Sequence, residues 1–168
     1  MENEFLHVSV EADGTITLKD KTTKKTFSGL HVVEDTGDVG DYWATYYPYD
    51  NQTHTSRGCP IRIWREENGS LGATIGIEIT MKLPAFGYKP DYMWHGECKR
   101  SEETRDLVIT SRVTLKRGSR RLDIRTSLKN NIEDHRLRIL FPTDIKAKFS
   151  NAAGHFTVDK RAVDPVRD

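Results

Sequence analysis

The chain has 168 residues, 36% hydrophobic and 30% charged, which describes one domain able to bury about two-thirds of the surface its unfolded chain exposes and excludes a disordered composition. Lys and Arg total 26 against 25 Asp and Glu, and a net charge of +1 gives no global pull toward nucleic acid or anionic lipid. No apolar run approaches the roughly 20 residues that span a membrane, and two cysteines, Cys59 and Cys98, are too few for a disulfide framework, so a reduced, cytoplasmic setting is expected.

Thr, Val and Ile outnumber Ala and Leu two to one, which favours strands over helices. Leu6, Val8 and Val10 alternate with polar neighbours and predict a first strand. Ala12-Asp13-Gly14 is a turn signal, and Ile16 and Leu18 alternate beyond it. A second polar turn at 20–25 leads to Thr26-Phe27-Ser28-Gly29-Leu30. Every second position from Leu71 to Leu83 is apolar, which predicts a long strand with one face in a core and one toward solvent. Leu107, Ile109, Ser111, Val113 and Leu115 form the first arm of a hairpin, Arg117-Gly118-Ser119 its turn, and Leu122, Ile124 and Leu128 its second arm. A further strand, 136–141, stops at Pro142, which cannot donate to a ladder. Phe156-Thr157-Val158 is the last candidate. No window carries a helical stripe, so the reading is a single all-β domain, 1–168, with antiparallel sheets packed face to face as a β-sandwich. The tail, 161–168, has no closing element, and an excised piece of a longer protein is expected.

Few residues suggest chemistry. His54 and Cys59 are five apart and His95 and Cys98 three apart. Two His and two Cys can hold zinc, but the spacings are not those of a finger, and loop histidines with half-buried thiols are the simpler reading. Glu66-Glu67 and Glu102-Glu103 are adjacent. Strand neighbours point to opposite faces, so adjacency does not make a catalytic pair, and both read as turn charge. The stretch 112–129 holds seven Lys or Arg against the single acid Asp123. It can track phosphates or blunt a sheet edge; it lacks aromatics for base stacking, and no nucleic-acid partner is expected. Asp134-His135 has no serine in a nucleophile elbow to serve. The richest segment is Tyr42-Trp43-Ala44-Thr45-Tyr46-Tyr47-Pro48-Tyr49, after the Gly- and Asp-rich run 34–41. Its rings either cap the core, stack on sugar C–H surfaces or anchor a protein interface.

Several strings resemble one family. Glu2-Asn3-Glu4-Phe5-Leu6, the run 13–21 and Ser28-Gly29-Leu30 look like the opening of the C-terminal β-sandwich region of glycoside hydrolase family 38 α-mannosidases, nearest to the bacterial branch that includes mannosylglycerate hydrolases. Glu34-Asp35 with Gly37-Asp38-Val39-Gly40-Asp41-Tyr42 is similar to that branch's Gly-Asp-x-Gly-Asp run. Asp134-His135-Arg136-Leu137-Arg138 looks like its Asp-His-Arg-Leu-Arg segment. The resemblance covers most of the chain.

It implies a galactose-mutarotase-like supersandwich that forms part of a retaining exo-α-mannosidase. It also implies an upstream α/β catalytic domain, absent here, that supplies the Asp nucleophile and binds zinc through two Asp and two His. None of those motifs is in this sequence. No catalytic residue, metal or other cofactor is therefore expected here, and the fragment alone should be inactive. The expected partners are the upstream domain and, through the whole enzyme, an α-mannoside. The resemblance points to Gly40-Asp41-Tyr42 as the segment reaching the sugar pocket. The chain departs from the family pattern after Tyr42, so Asp41, Tyr42 and Trp43 are the candidates. Arg136 and Arg138 stand as substrate-proximal candidates or, with Asp134 and His135, as a scaffold charge cluster at a strand entry. The rival readings are a stand-alone carbohydrate-binding module using Tyr42, Trp43, Tyr46, Tyr47 and Tyr49, and a structural interaction domain without a ligand.

Overall fold

A computed structural model describes residues 1–41, 43–88 and 98–163. All regular structure among them is strand, and every paired strand is antiparallel. A meander opens the chain: β1 (Leu6–Val10), β2 (Ile16–Asp20) and β3 (Thr26–Leu30) pair in that order. Its turns close on side chains. The Asp13 carboxylate accepts from the Thr15 N–H at 3.1 Å, and that of Asp20 from the Thr22 N–H at 2.8 Å. Such Asx turns are the physical content of the turn signals.

β4 (Val32–Gly37) and the two-residue β5 (His54–Thr55) follow. Then come β6 (Ile61–Gly69) and β7 (Gly72–Pro84), joined by a tight turn. The short β8 (Gly87–Tyr88) and β9 (Lys99–Arg100) pair with each other. β10 (Thr104–Lys116) and β11 (Leu122–Leu128) form the expected hairpin. β12 (His135–Leu140) pairs with β4, and β13 (Phe149–Gly154) with β14 (Thr157–Ala162). The chain is a β-sandwich. One layer is the four-stranded sheet β11-β10-β7-β6. The sheets β1-β2-β3 and β12-β4-β5 lie opposite.

The core follows from period two. Ile77, Ile79, Met81 and Leu83 of β7 and Leu107, Ile109, Val113 and Leu115 of β10 are buried, and the register sets Ile79 beside Ile109 and Met81 beside Leu107. They meet Leu6, Val8 and Ile16 of the meander and Val33 of β4. Burial of each such side chain contributes about 1.5–3 kcal/mol. On the outer face the indole of Trp64 lies flat over Gly76, where a Cβ would come within 2.2 Å of the ring, and the Arg62 guanidinium stacks on the indole at 4.9 Å.

The structure departs from the sequence reading at several points. Leu71 is not a core position; it sits 78% exposed in the β6–β7 turn. Leu128, the last residue of β11, is exposed as well, and between it and Ile124 on the same face lies Thr126, which bonds Ser111 at 2.8 Å. β4 and β6 are strands that apolar alternation does not reveal. β4 puts a carboxylate, Asp35, on its buried face, and β6 carries a bulge between Arg65 and Glu67 that breaks its period.

Candidate functional site

The segment 38–50 leaves β4 and is held by its own polar groups. The Asp38 carboxylate accepts from the Gly40 and Tyr46 N–H groups at 3.1 and 3.2 Å, and the Val39 N–H donates to the Tyr46 carbonyl at 2.8 Å. The Asp41 carboxylate accepts from the Trp43 and Ala44 N–H groups at 2.8 and 3.0 Å. The returning limb is strung to β9, with the Tyr49 N–H on the Cys98 carbonyl at 3.0 Å and the Asp50 carboxylate on the Arg100 N–H at 3.3 Å. A loop fixed in this way presents rings outward: Trp43 is 81% exposed, Tyr49 80% and Tyr47 57%.

Under the loop lies a buried charge cluster. Asp35 occupies the last inward position of β4 before Gly37 and is fully buried. One of its oxygens is ion-paired with the Arg100 guanidinium, which also reaches the Pro84 carbonyl at 3.3 Å. The other faces Nδ1 of His135 at 2.6 Å. Nε2 of His135 faces Oδ1 of Asn130 at 3.1 Å. A carboxylate taken out of water is stable only with such partners. Gly37 closes the packing: a Cβ there would come within 2.6 Å of Pro48 and 3.0 Å of Arg100.

The candidates named from sequence fall into distinct places. Asp41 caps the loop turn and Trp43 projects from it; Tyr42 lies outside the described residues. Arg136 reaches the loop, its Nη1 donating to Oη of Tyr47 at 3.4 Å. Arg138, two residues on along the same face, is ion-paired with Glu34, its Nε donating at 3.0 Å. Asp134, at φ 51°, ties two segments: its carbonyl accepts from the Asp38 N–H at 2.9 Å and its carboxylate from the Gly87 N–H at 3.1 Å. Geometry thus joins Arg136 to the aromatic loop, ties Asp134 and His135 to neighbouring segments, and pairs Arg138 with Glu34. Sequence reasoning missed Asp35 and Arg100 as a pair. Arg100 follows Lys99 in a polar run that carries no sign of burial.

The remaining motifs are engaged locally. Glu66 pairs with Arg112 at 2.8 Å and Glu103 with Arg105 at 3.0 Å. In the basic stretch, Arg121 pairs with Asp123 at 2.7 Å and Arg120 stacks on the Phe5 ring at 4.0 Å. Sγ of Cys59 lies 3.5 Å from the Thr55 carbonyl, burial pushes this thiol up from its ordinary range, and His95 lies outside the described residues. The described residues contain no group of three or more His, Cys, Asp or Glu arranged to hold a metal ion. Among them, too, no helix is long and apolar enough to cross a membrane.

Residues 1–168 match the family described as the glycosyl hydrolases family 38 C-terminal domain. A Halalkalibacterium halodurans protein named "Putative mannosylglycerate hydrolase" is 32% identical over 152 residues, which is 86% of this chain and 17% of that protein. An alpha-mannosidase from Enterococcus faecalis V583 superposes with a TM-score of 0.90 at 34% identity, covering 96% of this chain and 19% of that one. A glycosyl hydrolase family 38 protein from Enterococcus faecalis gives 0.89 at 33% identity, with 96% and 20% covered. The chain therefore spans about a fifth of the length of these relatives. On these matches and this fold, the chain belongs to the family 38 glycoside hydrolases, within their C-terminal domain.

Proposed function

We propose that this chain is the non-catalytic sandwich portion of a retaining α-mannosidase. It buttresses a separate α/β catalytic domain and turns the 38–50 loop, through Asp41, Tyr42 and Trp43, toward the sugar pocket. The observation that carries this reading is the loop itself: exposed aromatic faces on a buried, ion-paired base, with Arg136 beside Tyr47. Retaining hydrolysis needs two carboxyl groups about 5 Å apart, held to sub-ångström tolerance. In this reading those groups and the zinc belong to the other domain. The sandwich limits the motion of the catalytic loops and excludes water. Trp43 offers a flat apolar face to sugar C–H groups, and the Arg136 guanidinium offers donors to hydroxyl or carboxylate oxygens. The two free thiols, Cys59 and Cys98, suit a reducing, cytoplasmic setting.

In the full-length enzyme Trp43→Ala should lower kcat/KM about tenfold, corresponding to roughly 1.4 kcal/mol of lost stacking, without lowering the melting temperature. An unchanged kcat/KM removes Trp43 from the sugar site. The 168-residue chain alone should release no mannose from an α-mannoside, and release would refute the division of labour. The exposure of Trp43 and Tyr49 also favours a second reading, a carbohydrate-binding module. Saturable Trp emission changes on titrating the isolated chain with mannose-containing sugars would select it.

A further inference from the structure

We propose that Asp35 is the positioning residue of the 38–50 loop, acting through Arg100 and through a His135 ring that carries hydrogen on both nitrogens. The assignment of hydrogens follows from what each ring nitrogen faces. Nδ1 lies 2.6 Å from a carboxylate oxygen of Asp35. Arg100, always charged, sits on the other oxygen, so the carboxylate is an acceptor and Nδ1 donates. Nε2 lies 3.1 Å from Oδ1 of Asn130. That same atom accepts from the Ile132 N–H at 3.1 Å, which identifies it as the amide oxygen and not the amide nitrogen. Nε2 therefore donates as well, and a ring that donates from both nitrogens is an imidazolium.

The cluster is thus one anion between two cations, with side chains 0%, 4% and 5% exposed for Asp35, Arg100 and His135. The other charged groups nearby are committed to backbone donors: Asp50 to the Arg100 N–H, Asp134 to that of Gly87 and Asp38 to those of Gly40 and Tyr46. Among the described residues, Asp35 is the buried acid that faces both cations. Each of its partners governs one limb of the loop. β4 carries Asp35 itself into the exit limb. Arg100 packs against Gly37 and, through its N–H, holds Asp50 on the return limb. His135 opens β12, whose next residue, Arg136, touches Tyr47 and whose preceding residue, Asp134, holds the Asp38 N–H. Removing the anion leaves two buried cations without a counter-charge and unties both limbs of the loop at once. This inference stands whether or not the loop meets a sugar.

The test is NMR of the 168-residue chain with ¹⁵N-labelled histidine, together with amide hydrogen exchange. At neutral pH His135 should show the imidazolium pattern, both ring nitrogens bearing hydrogen. In Asp35→Asn that pattern should be lost. The Asp38, Val39 and Tyr49 amides should exchange at least tenfold faster, while amides of the β7–β10 ladder stay within twofold. A singly protonated His135 ring in the unsubstituted chain overturns the proposal, and so do loop amides that exchange at the original rate in Asp35→Asn. Should Asp35→Asn not fold, His135→Gln decides. Faster loop exchange supports the proposal and unchanged exchange overturns it.

Discussion

His31 shows how one side chain joins two layers. It sits between β3 and β4 at φ 69°, a left-handed conformation that costs a non-glycine residue about 1–3 kcal/mol. Its ring is buried, with Nε2 at 2.9 Å from the Ser111 hydroxyl of the opposite sheet, and its N–H donates to the Leu140 carbonyl at 2.9 Å. Burial pushes its imidazole below the ordinary value of 6.5, partly opposed by the Gly14 backbone. A histidine held neutral in the folded state makes the unfolded state the better proton binder below that value. Stability is therefore kept above about pH 6.5 and lost as pH falls below it, by no more than about 1.4 kcal/mol per pH unit. Denaturant midpoints should drop between pH 6.5 and 5, before ordinary carboxylates titrate. His31→Asn, the side chain best suited to this backbone, should flatten that slope. An equally steep profile in the variant would assign the acid sensitivity elsewhere.

Strands differ in how openly their sequences declare them. β7 and β10 are legible because water faces one side of a sheet and a core the other, so Ile77, Ile79, Met81 and Leu83 repeat at period two. β4 is illegible for the opposite reason. Its inward face ends in Asp35, and a buried carboxylate looks like a turn residue until Arg100 and His135, both far away in sequence, are seen beside it. The aromatic loop is legible as a cluster of rings; the contact of Arg136 with Tyr47 is not. Nor is the cluster's base, because charge pairing across β4, β9 and β12 leaves no periodic trace in any one segment. β6 was hidden by its bulge, yet it supplies the Trp64–Gly76 contact on the outer face. Gly76→Ala should displace the indole from β7 and cost about 1–3 kcal/mol in chemical denaturation. The double variant with Trp64→Val should recover most of that loss. A Gly76→Ala protein as stable as the original would mean that the ring moves aside without cost.

At the scale of the whole molecule, stability is concentrated in the sandwich and thin at β13–β14. Among the described residues, none after Ile139 belongs to the core cluster, and Phe149, Phe156 and Val158 of the terminal hairpin region are exposed. A two-stranded hairpin of this kind contributes little by itself. A chain ending at Lys148 should melt within a few degrees of the original by circular dichroism. Failure to fold would mean that the hairpin supports the sheets. The long ladder between β7 and β10 has a different consequence, for the speed of folding. β6 meets β7, and β10 meets β11, across short turns, so both hairpins can close within microseconds. Zipping the two together requires β7 to find β10 across the segment 85–103, and the entropy of closing that loop must be met before any of the thirteen rungs forms. The slow step of refolding is therefore expected at this seam. Lengthening 85–103 with a flexible insert should retard refolding while leaving the unfolding rate almost unchanged.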